Sequence, residues 1–105
     1  MMRLAEFTLD STEKTKLIDV PRQNDWSSCH SLYAQNSNAD QAQITISQTI
    51  QGIEQDAFTM TLEPNQNEPV LISDILLEIE PASFVSAIST KSNVTLTFVL
   101  VDHEL

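Results

Sequence analysis

The sequence predicts an all-β fold, a single antiparallel β-sandwich of jelly-roll or Ig-like kind. Three observations carry that expectation. Apolar residues recur at every second position in several runs, which is the period of a half-buried strand. Those runs are rich in Val, Ile and Thr, whose branched side chains suit a pleated surface. Strand-like runs also recur at roughly 8–12-residue spacing with turn signals between them, the rhythm of sandwiches and small jelly rolls.

Taken in order, Ala5, Phe7 and Leu9 alternate with Glu6 and Thr8. Residues 1–15, polar and charged from Asp10 onward, form either an N-terminal arm or an edge strand, and residues 16–105 the sandwich domain. Leu17-Ile18-Asp19-Val20 is the next strand and stops at Pro21. Trp26 to Ala34 reads as a longer strand. Simple alternation there sets His30, Leu32 and Ala34 on one face and Cys29, Ser31 and Tyr33 on the other. After the polar loop Gln35 to Gln41, Ile44, Ile46 and Ile50 alternate with Thr45, Ser47 and Thr49.

Ala57 to Leu62 follows, with Phe58, Met60 and Leu62 inward. Between Pro69 and Pro81 the residues Leu71, Ile72, Ile75, Leu76 and Ile79 fall at helical spacing, while Leu77 and Ile79 alternate with Glu78 and Glu80. The bounding prolines leave little room for a helix, which favours two short strands, near Val70 to Ile72 and Leu76 to Glu80. Val85 and Ala87 begin a last hairpin that turns near Thr90 to Asn93. Its return strand places Val94, Leu96, Phe98 and Leu100 on one face and Thr95 and Thr97 on the other. The expected core is Ile44, Ile46, Phe58, Met60, Leu62, Leu77, Ile79, Val94, Leu96 and Phe98.

A chain of 105 residues is the size of one domain. Its single cysteine, Cys29, excludes an intramolecular disulfide. Met1-Met2-Arg3-Leu4-Ala5-Glu6 reaches an acid without an apolar signal region, so synthesis in the cytoplasm without export is expected. No apolar run approaches the ~20 residues that span a bilayer. Fifteen acids against five bases give a net charge of −10. The five cations Arg3, Lys14, Lys16, Arg22 and Lys91 are too few to neutralise a nucleic-acid backbone, and anionic membranes are disfavoured for the same reason. Gly52 is the only glycine. Turns needing positive φ therefore fall to Asn and Asp, with Asn24-Asp25, Asn36-Ser37-Asn38 and Asn65-Gln66-Asn67 as candidates.

Catalytic constellations are thin. One glycine excludes a glycine-rich phosphate loop, and there is no G-x-S-x-G elbow. Cys29 and His30 adjoin, yet strand neighbours point to opposite faces, so Cys29 is read as an ordinary core or half-buried residue. His30 and His103 have no ligand-spaced partners, and Asp102-His103-Glu104 reads as a solvated terminus. Asn36, Asn38 and Asp40 match the first ligand spacings of a calcium loop, but Gln41 and Ser47 stand where Gly and Glu are needed, which favours a polar turn. Glu78 and Glu80 share a strand face and are accounted for by solvation. The expectation is a protein that is not an enzyme and uses no cofactor or metal. Trp26, Tyr33, Arg3 and Phe7 are its candidate interface residues, although for Trp26 and Tyr33 a place in the core or covering an edge is the favoured reading.

From Lys16 to Val101 the order of elements resembles the small β-sandwich virion proteins of tailed bacteriophages. It runs through Leu17-Ile18-Asp19-Val20-Pro21, Ser28-Cys29-His30-Ser31-Leu32-Tyr33-Ala34-Gln35-Asn36-Ser37 and Gln43-Ile44-Thr45-Ile46. Glu68-Pro69-Val70-Leu71-Ile72, Ile75-Leu76-Leu77-Glu78-Ile79-Glu80-Pro81 and the hairpin from Phe84-Val85-Ser86-Ala87 to Val101 complete it. The near absence of glycine departs from the look of such proteins. The resemblance implies a capsid decoration (cement) protein, or a head–tail or tail-fibre adaptor. It further implies location in the virion, a homo-oligomer such as a trimer, and the major capsid protein or another virion protein as partner. A carbohydrate- or ligand-binding module is the reading from a different class, and it would need more exposed aromatics than Trp26, Tyr33 and four phenylalanines supply.

Overall fold

The computed structural model describes residues 2–20, 25–73, 77–80 and 83–104. Among these, nine strands form: β1 (Met2–Leu9), β2 (Thr15–Val20), β3 (Asp25–Asn36), β4 (Ala42–Ile50), β5 (Ile53–Leu62), β6 (Val70–Ser73), β7 (Leu77–Ile79), β8 (Ser83–Ser89) and β9 (Val94–Glu104). One sheet has the order β1-β9-β3-β6, with β7 also on β3, and the other has β2-β8-β4-β5. Every pairing is antiparallel. β6 pairs with Leu32 to Ala34 and β7 with Ser27 to Cys29, so the two act as one interrupted strand along β3. On that count the chain changes sheet at every connection except the β4–β5 hairpin. This is the winding of a jelly roll rather than of an Ig domain.

The core lies between the two inner faces. Leu32, Ala34, Leu96, Phe98 and Leu100 from one sheet meet Ile44, Ile46, Leu62, Val85 and Ala87 from the other, each at most 2 % exposed. Phe98 takes the edge of Phe7 at a centroid distance of 6.0 Å and 69°. Of the expected core, Phe58 and Leu77 are only partly buried and pack against its margin.

Three sequence expectations need correction. A bulge where β3 pairs with β9, between Cys29 and Ser31, adds a residue and resets the alternation. Cys29 therefore faces the core with Leu32 and Ala34, while His30 is exposed. β5 begins at Ile53, not near Ala57, because its first five residues are exposed and carry no apolar period. Asp102 to Glu104, expected as a solvated terminus, are the end of β9, paired with Asp25 to Ser27. Pro21, Asn24, Ile75 and Leu76 lie outside the described residues.

The two-residue turn Gln51-Gly52 joins β4 to β5, with Ile50 opposite Ile53. Its φ values of 52° and 79° give the twist that suits a tight hairpin. Asn65 and Asn93 also take positive φ, as asparagine does most readily among residues with a side chain. Asn36 serves differently. Wholly buried, it donates from Nδ2 to the carbonyls of Asp40 and Glu63, at 2.9 and 3.1 Å, and accepts from the Asn38 backbone N–H at 3.0 Å. Asn38 in turn donates to the Ser92 carbonyl at 2.7 Å. Three loops at this end are thereby tied to one another.

Candidate interaction surface

Among the described residues β1 is the last strand of its sheet, so alternate backbone N–H and C=O groups point away from β9. Its alternation turns Ala5, Phe7 and Leu9 toward the core and leaves Met2, Leu4, Glu6 and Thr8 outside. Met2 and Leu4 are 69 % and 70 % exposed. Met2 stands opposite Val101, and Leu4 opposite Val99, both half-buried. The run Phe98 to Val101 is thus apolar on both faces of β9, the pattern of a strand covered from both sides.

At the chain-terminal end of the same outer face, Trp26 stands opposite His103 and the two rings stack, 3.9 Å between centroids and 14° from parallel. Further along β3, half-buried Tyr33 pairs with Leu71, which is 46 % exposed. Beyond this strip the face turns polar, with Thr8 and Thr95 joined through their hydroxyls. Covering side chains such as Met2 and Leu4 is worth roughly 1.5–3 kcal/mol each when burial is complete. An apolar strip bordering an open strand edge is the arrangement of a protein contact surface.

The four residues expected at an interface divide among three places. Trp26 and Tyr33 lie on this outer face. Phe7 faces inward against Phe98. Arg3 sits at the mouth of the sandwich, where Nε donates to Asp102 Oδ2 at 2.6 Å and Ser27 Oγ donates to Oδ1 at 2.7 Å. The Arg3 hydrogen bond, aided by that of Ser27 against an opposing cost of burial, holds the Asp102 carboxyl below its ordinary range. Met2, Leu4, Val99, Val101 and His103 were not legible as surface partners, because only the register of β1 and β3 on β9 brings them together.

Chemistry elsewhere is sparse. Burial pushes the Cys29 thiol up to about 11, and its Sγ donates weakly to the Ser31 carbonyl at 3.5 Å. Such a thiol is a poor nucleophile at neutral pH. The shallow depression lined by Thr12, Gln43, Thr45, Ile88, Ser89 and Thr90 carries no ionisable side chain. Among the described residues, no three His, Cys, Asp or Glu side chains gather into a metal cluster, and no helix is long and apolar enough to cross a membrane.

No protein-family model matches the chain, and no curated protein matches it in sequence. Solved structures do match in fold. Murine APRIL at pH 8.5 superposes with a TM-score of 0.53 and 8 % identity, over 96 % of this chain and all of that one. A Bacillus endospore appendage protein, from a family of disulfide-linked pili, gives 0.56 and 10 %, over 100 % and 86 %. A pentameric capsid protein from metagenomic phage sequences gives 0.47 and 12 %, over 92 % of this chain and 59 % of that longer one. At these identities the first two share with this chain the fold alone, and the superposition on the capsid protein is too loose to carry an argument.

Proposed function

We propose that this chain is a structural protein of a phage particle that works by contact rather than catalysis, as a decoration protein on the outer capsid surface. The observation that carries the reading is the apolar strip of Met2, Leu4, Val99 and Val101 beside the open edge of β1. It supplies the surface that the sequence resemblance calls for. The jelly-roll winding is compatible with it, since that architecture recurs in capsid proteins. A rigid sandwich with one apolar, edge-bearing face can pair with copies of itself and present a multivalent surface to a symmetric lattice. The charge of −10 then acts in partner choice, favouring a basic protein surface.

The test is re-attachment of purified protein to particles lacking it, comparing wild type with Leu4→Glu. Leu4 is exposed, so the variant keeps its fold, checked by its urea midpoint. Loss of attachment by about tenfold or more supports the reading, because a charge in a desolvated contact costs on the order of 2 kcal/mol or more. Undiminished attachment takes the face out of the interface. A head–tail or tail-fibre adaptor would use the same face in far fewer copies.

A further inference from the structure

On the outer face of β3 the side chain of Ser28 points outward yet is only 5 % exposed, because two imidazoles lie over it. Nε2 of His30 is 3.0 Å from the Ser28 hydroxyl oxygen, and Nε2 of His103 is 3.2 Å from it. These are the two histidines of the chain, 73 positions apart in sequence. Ser28 and His30, two apart on β3, share this face by simple alternation, and the pairing of Trp26 with His103 delivers the second ring.

A hydroxyl has one proton to give, so it can donate to only one of the two rings. The other must donate its own Nε2–H to the serine oxygen. If that ring moves its proton to Nδ1, both Nε2 lone pairs aim at the Ser28 oxygen, and rotation of the Ser28 side chain to another staggered rotamer opens that point to an ion. The two nitrogens are no further apart than the sum of the two distances. A metal held at about 2.0–2.1 Å from each imidazole nitrogen in tetrahedral geometry needs them roughly 3.3 Å apart. His30 is exposed and can swing that far, while stacking on Trp26 holds His103 in place.

We infer that His30 and His103 form a two-imidazole binding site for a borderline divalent cation, Zn²⁺, Ni²⁺ or Cu²⁺. Neutral imidazole suits these ions, whereas Mg²⁺ and Ca²⁺ prefer oxygen donors. Water completes the coordination. Glu78, opposite Ser28 on β7 and exposed, adds negative charge beside the site. The net charge of −10 raises the local cation concentration as well. The site does not depend on the virion role.

The structure supplies its own reporter, because the sole tryptophan of the chain is stacked on one of the ligands. Ni²⁺ titrated into the full chain should quench tryptophan fluorescence saturably with one ion per chain. EDTA should restore the signal, and Mg²⁺ should leave it unchanged. Calorimetric titration with Zn²⁺ gives the stoichiometry without fluorescence. His30→Ala leaves the Trp26–His103 stack, and so the reporter, intact, yet should weaken binding by roughly tenfold or more. His103→Ala should do the same in the calorimeter. No saturable binding by wild type, or binding by His30→Ala equal to wild type, would overturn the site.

Discussion

The indole of Trp26 lies flat on the imidazole of His103, so the first residues of β3 are held to the last residues of β9 by ring contact as well as by ladder hydrogen bonds. Both rings are half-buried. Trp26→Ala should therefore cost only about 1 kcal/mol, the scale of one aromatic pair. A loss above ~3 kcal/mol in urea unfolding would mean that Trp26 is a core residue and not a surface one.

Phe98 is the largest wholly enclosed side chain among the described residues and meets Phe7 edge-on. Phe98→Ala should lower stability by roughly 3–5 kcal/mol through lost burial and the cavity left behind. Urea denaturation reads this directly. A loss under ~1 kcal/mol would place the ring outside the core.

Asn36 should be nearly as sensitive as that ring. Alanine there leaves the Asp40 and Glu63 carbonyls and the Asn38 N–H without the partners they now have. Asn36 is wholly buried while the groups it bonds lie on exposed or half-buried residues, so each lost hydrogen bond costs about 0.5–1.5 kcal/mol and a total loss of ~2 kcal/mol is expected. Near-wild-type stability of Asn36→Ala would show that water replaces the side chain freely.

The Arg3–Asp102 pair predicts an acid dependence of definite sign. The folded Asp102 carboxyl sits below its unfolded value, so its contribution is present above about pH 3.9 and fades as pH falls through the lower folded value. Both side chains are more than a third exposed, which limits the neutral-pH effect of Arg3→Ala to about 0.2–1 kcal/mol. The stability gap between wild type and Arg3→Ala should shrink below pH ~4. A gap that stays constant there would exclude this pair as its source.

Gln51 occupies a left-handed conformation at φ 52° that asparagine adopts more readily. Gln51→Asn should raise stability by about 0.5 kcal/mol, as an Asn-Gly pair favours this turn. A thermal midpoint below wild type would contradict the turn geometry.

Much of the fold could be read from the residues because its strands bury one face and expose the other. Val94 to Leu100 and Phe58 to Leu62 are such strands, and their period survives in the sequence. The bulge at Cys29 to Ser31 could not be read, since one extra residue leaves no compositional trace and yet exchanges the faces of Cys29 and His30. The start of β5 was hidden for another reason: with both faces of 53–57 exposed, no period exists to detect. Trp26 and Tyr33 were legible as possible interface anchors, but core or edge-cover positions were the favoured reading, and both are half-buried on the outer face. Met2 and Leu4 were not legible, because an apolar residue near a terminus signals a contact only when Val99 and Val101 are seen beside it.

Quantitative mass spectrometry of purified particles carrying this sequence is the most direct test of the proposed role. A decoration protein on a closed lattice should be present at on the order of hundreds of copies per particle. A few copies would move it to the tail or connector, and absence from the particle would contradict the virion role outright.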